Sequence, residues 1–138
     1  MKRQIATDKS QSDRLLKCGV SAYVADMTLS YCNGSFYELM ATPFHYGCFN
    51  EEDAPAFSLN RLLSLLPFKI PCGNFEFWLD VAPINFGTQW SIGYYCTEKP
   101  RTIKGLTHTE SLIECAVQEI EWLSDNGYKL KGGTDGED

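Results

Sequence analysis

The chain has 138 residues, of which 43% are hydrophobic, 22% charged and 13% aromatic, the make-up of one folded domain and too short for two ordinary ones. Its apolar surface is ample to offset the entropy of ordering the chain, which excludes wholesale disorder and leads one to expect that roughly two-thirds of the unfolded surface is buried. Lys and Arg number 12 against 18 Asp and Glu, and a net charge of −6 excludes bulk electrostatic capture of nucleic acid, so no nucleic-acid partner is expected.

Residues 8–18 read as a short helix, with Thr7 or Asp8 available as N-cap and Gly19 at the C′ position. Residues 21–26 suit one further helical turn. The period then changes to two: Met27, Leu29 and Tyr31 alternate with Thr28, Ser30 and Cys32, Asn33-Gly34 follows, and an extended pattern resumes from Ser35 to Met40. Asn-Gly between two such runs is the strongest short-range hairpin signal, because both residues accept positive φ. From Ala41 to Phe57 the pattern is lost, with Pro43, Gly47 and Pro55 as punctuation. A connection this long is either functional or conceals structure. Its aromatics either form an interaction surface or fold back over the core.

Ser58 is placed to cap a helix in which Leu59, Leu62, Leu63 and Leu66 share one face before Pro67 stops it. Phe75, Phe77, Leu79 and Val81 alternate with Glu76, Trp78 and Asp80; after a connection over 83–88, Trp90, Ile92, Tyr94 and Cys96 alternate with Ser91, Gly93 and Tyr95. These are two half-buried antiparallel strands. Thr107 and Glu110 have the spacing of a capping box for a last helix, whose apolar stripe runs through Leu112, Ile113, Ala116, Val117, Ile120 and Leu123 to Gly127, with Glu114, Gln118, Glu121 and Asp125 opposite. Cys115 and Trp122 fall off that stripe, where they would cover a dimer seam or touch the end of the sheet. Beyond Tyr128 the one hydrophobic anchor is Leu130, so residues 1–130 are expected to form a single domain and 131–138 a disordered acidic tail. Two hairpins in a small antiparallel sheet, with helices packed on one face in roughly αββαββα order, make the class α+β.

The six cysteines are evenly spread and fall where hydrophobes belong, and the start MKRQIATDKS has positive charge with no apolar run behind it. Free thiols and a cytoplasmic location are the expectation. No stretch approaches the roughly 18 apolar residues of a membrane span, so no membrane partner is expected. Between Cys18 and Asn60 there is no Lys or Arg, while Asp26, Glu38, Glu51, Glu52 and Asp53 lie in that span.

A zinc site needs about four ligands at short paired spacings. The chain has no C-x2-C; His45 and Cys48 are its one close pair, with His108 remote in sequence. No metal and no cofactor are expected. The same His45 and Cys48 are the one local arrangement able to hold a thiolate nucleophile. Glu76 and Asp80 share a strand face but lie roughly 13 Å apart, too far for a glycosidase pair. Glu51, Glu52 and Asp53 lack the alternating ligands and central glycine of an EF-hand loop, and neither a P-loop nor G-x-G-x-x-G occurs. No catalytic residue is assigned.

Three runs do carry a resemblance: Ala25-Asp26-Met27 ahead of an extended stretch, Pro55-Ala56-Phe57-Ser58-Leu59 with Leu62-Leu63 and Leu65-Leu66-Pro67, and Glu119 through Trp122-Leu123 to Asn126-Gly127-Tyr128. Together they are similar in pattern to small hypothetical proteins encoded in prophages and other mobile elements of gut bacteria, over most of residues 8–128. That group has a tryptophan where Phe57 stands. The resemblance implies a genomic setting and carries no catalytic residue with it.

The leading expectation is therefore a non-enzymatic accessory or protein-binding module of a mobile element, monomeric or homodimeric, which meets a protein partner through Phe44, Tyr46, Phe49, Glu51, Glu52 and Asp53. Buried aromatics rimmed by charge are the usual anchors of such interfaces. Two alternatives stand beside it: an anti-defence inhibitor that mimics DNA with its acidic surface, and a small cysteine-dependent enzyme using Cys48 with His45.

Overall fold

The computed structural model describes residues 4–32, 36–48, 50–98 and 102–131. Helix α1 (Lys9–Lys17) is capped by Asp8, not Thr7: the Asp8 carboxylate accepts from the Gln11 amide at 2.8 Å and the Gln11 side chain accepts from the Asp8 amide at 3.1 Å, a full capping box. Gly19, at φ +89°, ends the helix as its position after the cap requires. Thr7 is spent elsewhere, exchanging hydrogen bonds of 3.0 Å with the backbone of Phe57. A 3-10 turn at Ala22–Val24, capped by Ser21, is the further helical turn expected at 21–26.

Strands β1 (Met27–Cys32) and β2 (Phe36–Met40) form the expected hairpin, with Cys32 opposite Phe36; the Asn33-Gly34 turn lies outside the described residues. The stretch at 41–57 is not the unstructured connection its sequence suggests. It contains the single-turn helix α2 (Phe44–Gly47) and strand β3 (Ala54–Ala56), which pairs with β1 and completes a three-stranded sheet in the order β2-β1-β3. Three residues of Ala-Pro-Ala carry no readable period, and Pro55 is tolerated because β3 is an edge. The chain packs α2 closely on this sheet at Gly47, where an added Cβ would stand 2.8 Å from the Thr28 hydroxyl.

Helix α3 (Leu59–Leu65) begins at Ser58, whose hydroxyl accepts from the Arg61 amide and is itself held by the Asp26 carboxylate. The second sheet has the order β4-β5-β6-β7, from Lys69–Cys72, Phe75–Ile84, Gln89–Cys96 and Thr102–Thr109, all antiparallel. The antiparallel α+β class thus holds. The two hairpins belong to separate sheets, and β5–β6 is flanked by two strands with no counterpart in the periodicity. In β4, Pro71 again marks an edge; in β7, a register shift opposite Gly93 breaks the alternation that would have announced a strand.

Helix α4 (Leu112–Asp125) is capped by Ser111, which accepts from the Glu114 amide at 3.2 Å. The Thr107–Glu110 box is therefore a misreading: Thr107 lies in β7, and Ser111 with Glu114 repeats the same spacing four residues on. Apolar residues of α4 pack on β6 and β7 below and on α1 and α3 above, so that Ile92, Tyr94, Leu62, Ile113, Ile120 and Leu123 are fully enclosed or nearly so. Arg14 of α1 ties the layers from outside, reaching Glu114 at 2.9 Å and Glu121 at 2.6 Å, two turns apart on α4. The chain then turns back: Leu130 is buried and the Lys131 amide donates to the Leu65 carbonyl at 2.8 Å, so Lys131 still belongs to the body, while the rest of the tail expected at 131–138 lies outside the described residues. Among the described residues no helix is long and apolar enough to cross a membrane.

Candidate functional site

The residues expected to form one surface at 44–53 differ in exposure where the structure describes them. The Phe44 amide donates to Ala25 at 3.2 Å and its half-buried ring packs against the main core. Tyr46 is exposed, as are Glu51 and Glu52. Phe49 lies outside the described residues. Asp53 is a correction: it is buried, and its carboxylate accepts from the amides of Tyr31 at 2.9 Å and Asn50 at 3.2 Å, which binds the loop to β1 and removes it from any contact surface. Asp26 likewise accepts from the Ser58 amide and hydroxyl. Two of the five acids in the cation-free span are thus committed to the fold.

His45 is engaged with aromatic rings, its centroid 4.0 Å from Tyr46 and 5.7 Å from Tyr23. The exposed Cys48 thiol donates to the Asn50 carbonyl at 3.5 Å, and among the described residues no hydrogen bond joins it to His45. Nor does any group of three or more His, Cys, Asp or Glu converge as a metal site among them.

A polar cluster that periodicity misses lies between α4 and the second sheet. Glu119 is wholly enclosed; the Thr107 hydroxyl lies 3.4 Å from its Oε1 and 3.2 Å from the Cys115 sulfur, while its Oε2 has no hydrogen-bond partner among the described residues. Burial pushes the Glu119 carboxyl up to about 8, outweighing the opposing bond from Thr107. Burial also raises the Cys115 thiol and the Tyr94 phenol, with the Glu119 charge acting in the same sense on both. Glu119 and Cys115 are fully enclosed in this cluster, and Thr107 is half-buried. Half-buried Trp122 stacks between Tyr94 and Tyr128.

The feature that faces outward is the other side of β4–β7. Lys69, Trp78, Tyr95 and Ile103 are paired in one row across all four strands. Beside that row Asp80 pairs with Gly93, and a Cβ added to Gly93 would stand 3.3 Å from the side chains of Ile103 and Leu106. The Ile103 and Leu106 side chains therefore close over Gly93, which is itself buried. Trp78 is 51% exposed, Leu106 51% and Ile103 43%, so no described element covers them. Lys69 sits 5.4 Å from the Trp78 ring and pairs with Glu76 at 3.0 Å, whereas the Asp80 carboxylate has no such partner among the described residues.

At the tip of the same hairpin, Asn85, Phe86 and Gly87 all have positive φ, and Phe86 is fully exposed. An L residue with a large side chain pays about 1–2 kcal/mol to stand there. Alternation had placed Trp78 and Tyr95 on the solvent side of their strands; Ile103 and Leu106 joined them only once β7 was in place. Compared with protein-family models, with curated proteins and with solved structures, the chain matches none of them.

Proposed function

We propose that the chain is a non-enzymatic protein-binding module, an accessory of a mobile element as its resemblance implies, and that it binds through the uncovered face of the four-stranded sheet. The observation that carries this reading is the row of exposed Trp78, half-buried Tyr95 and exposed Ile103, with exposed Leu106 beside it. Contiguous apolar patches on a folded chain mark interaction sites, and aromatic anchors dominate binding energies at interfaces. The exposed Phe86 in a left-handed conformation supports it, because glycine or asparagine would fill that turn at lower cost.

The test separates this face from the one at 44–53. Trp78→Ser with Leu106→Ser, and separately Tyr46→Ala with Glu51→Lys, are introduced into the full chain, shown to fold by circular dichroism, and used for cross-linking and pull-down from a bacterial host. Loss of the partner in the sheet-face pair alone is the expected result. Retention of every partner by that pair, or loss confined to the other, places the interface elsewhere.

A further inference from the structure

Resting on that reading, we infer that the occupant of the sheet face is a protein segment carrying an arginine or lysine between apolar residues, its cation seated against Asp80 and Trp78. Asp80 lies in the middle of the face and not at its rim: Trp78 is two residues before it on β5, Gly93 stands opposite it on β6, and Leu106 lies just beyond. A carboxylate enclosed by a partner that offers no cation would lose its hydration with nothing in return, which costs several kcal/mol. The occupant must therefore bring positive charge to this point.

A guanidinium meets the geometry on two counts. It can stack on an indole face, and its planar fork matches a carboxylate. Side chains at i and i+2 of a strand stand roughly 7 Å apart on one face, within reach of a single arginine. The Trp78 ring already accepts a cation from one side, that of Lys69 at 5.4 Å. The apolar flanks of the segment would lie on Tyr95, Ile103 and Leu106, the last two of which close over Gly93. The net charge of −6 steers such a segment inward.

A second copy of this chain fits less well. Face to face, it would add another Asp80 and Glu76, and the lysine that lies on the face, Lys69, is already engaged by Glu76.

The experiment selects random 12-residue peptides displayed on phage against the immobilised full chain, then titrates the enriched peptides by fluorescence polarisation into the native chain, Trp78→Ala, Asp80→Asn and Asp80→Lys, with thermal melts confirming that each variant folds. Peptides enriched in arginine or lysine beside apolar residues are expected, with affinity at least tenfold weaker for Trp78→Ala and Asp80→Asn, abolished for Asp80→Lys, and falling as salt is raised. Peptides that need Trp78 yet lack basic residues and ignore Asp80→Asn overturn the cationic occupant and leave the protein-binding face standing. Peptides indifferent to Trp78, or a selection without binders, overturn both. Sedimentation showing a dimer that Trp78→Ala dissociates puts a second copy on the face and also overturns the inference.

Discussion

Glu119 is the residue most at odds with its surroundings. It occupies a position on α4 between Val117 and Ile120 against the apolar core, and among the described residues no cation pairs with it. With its folded value raised to about 8, the group binds a proton more tightly in the folded chain than in the unfolded one. Below the ordinary carboxylate range both states are protonated and Glu119 costs nothing. As pH rises from there towards 8, the unfolded chain releases a proton that the folded chain keeps, and stability falls by up to about 1.4 kcal/mol per pH unit. Above 8 both states are ionised and the full penalty stays. Glu119→Gln keeps the shape and removes the charge, so its stability relative to the native chain should rise by a few kcal/mol between pH 5 and pH 9 in urea denaturation, a range set by the direction and size of that shift. A difference that stays constant across this range would mean that the carboxylate is ionised and satisfied in the folded protein. Glu114, half-buried on the same helix, shows the opposite case: burial pushes it up, but hydrogen bonds from Arg14, Gln11 and Gln118 outweigh that and hold it below its usual range.

At the scale of elements, the start of α4 decides where β7 ends. Ser111 holds the Glu114 amide, and Thr109 hydrogen-bonds with the Ser111 backbone, so the strand passes into the helix with no slack. Ser111→Ala should cost about 1 kcal/mol, the usual worth of an N-cap, in the midpoint of chemical denaturation. An equal loss from Glu110→Ala, the partner in the capping box first read from the sequence, would restore that earlier boundary. The two readings were equally open in THTESLIE, because each places a hydroxyl three residues before a glutamate; only the burial of Thr107 against Glu119 separates them. Helices α1 and α3 and strands β5 and β6 were legible because a single period runs through each. Strands β3 and β4 are short and contain proline, and the bulge in β7 shifts the alternation partway along, so their membership in sheets depends on neighbours distant in sequence. The candidate site suffered for the same reason. Half of its row lies on strands that periodicity shows, half on one that it does not, and the stretch at 44–53 drew attention to residues of which Phe44 and Asp53 are used internally by the fold.

For the molecule as a whole, the C-terminal segment closes a circuit that the elements alone leave open. Tyr128 stacks on Trp122, Trp122 on Tyr94, and the Tyr94 hydroxyl donates to the Pro67 carbonyl at 2.8 Å, linking the end of α4 through the sheet to the connection after α3. Three residues after Tyr128 the Lys131 amide donates to the Leu65 carbonyl, and its ammonium lies 3.7 Å from the centre of the Phe68 ring. Leu130, 4% exposed, fills the space enclosed between these contacts. If the segment is part of the cooperative body, Leu130→Ala removes a core side chain and should cost about 2–4 kcal/mol. Lys131→Ala, which gives up a cation over an exposed ring and keeps the backbone bond, should cost at most about 1 kcal/mol. Urea denaturation followed in parallel by tryptophan fluorescence and circular dichroism checks both, since Trp122 sits at the centre of the circuit. One transition, displaced to lower urea by Leu130→Ala in both signals, is the expected outcome. An unchanged midpoint in Leu130→Ala would mean that the segment lies on the body without stabilising it, and that helix α4 and the second sheet hold together without the return of the chain.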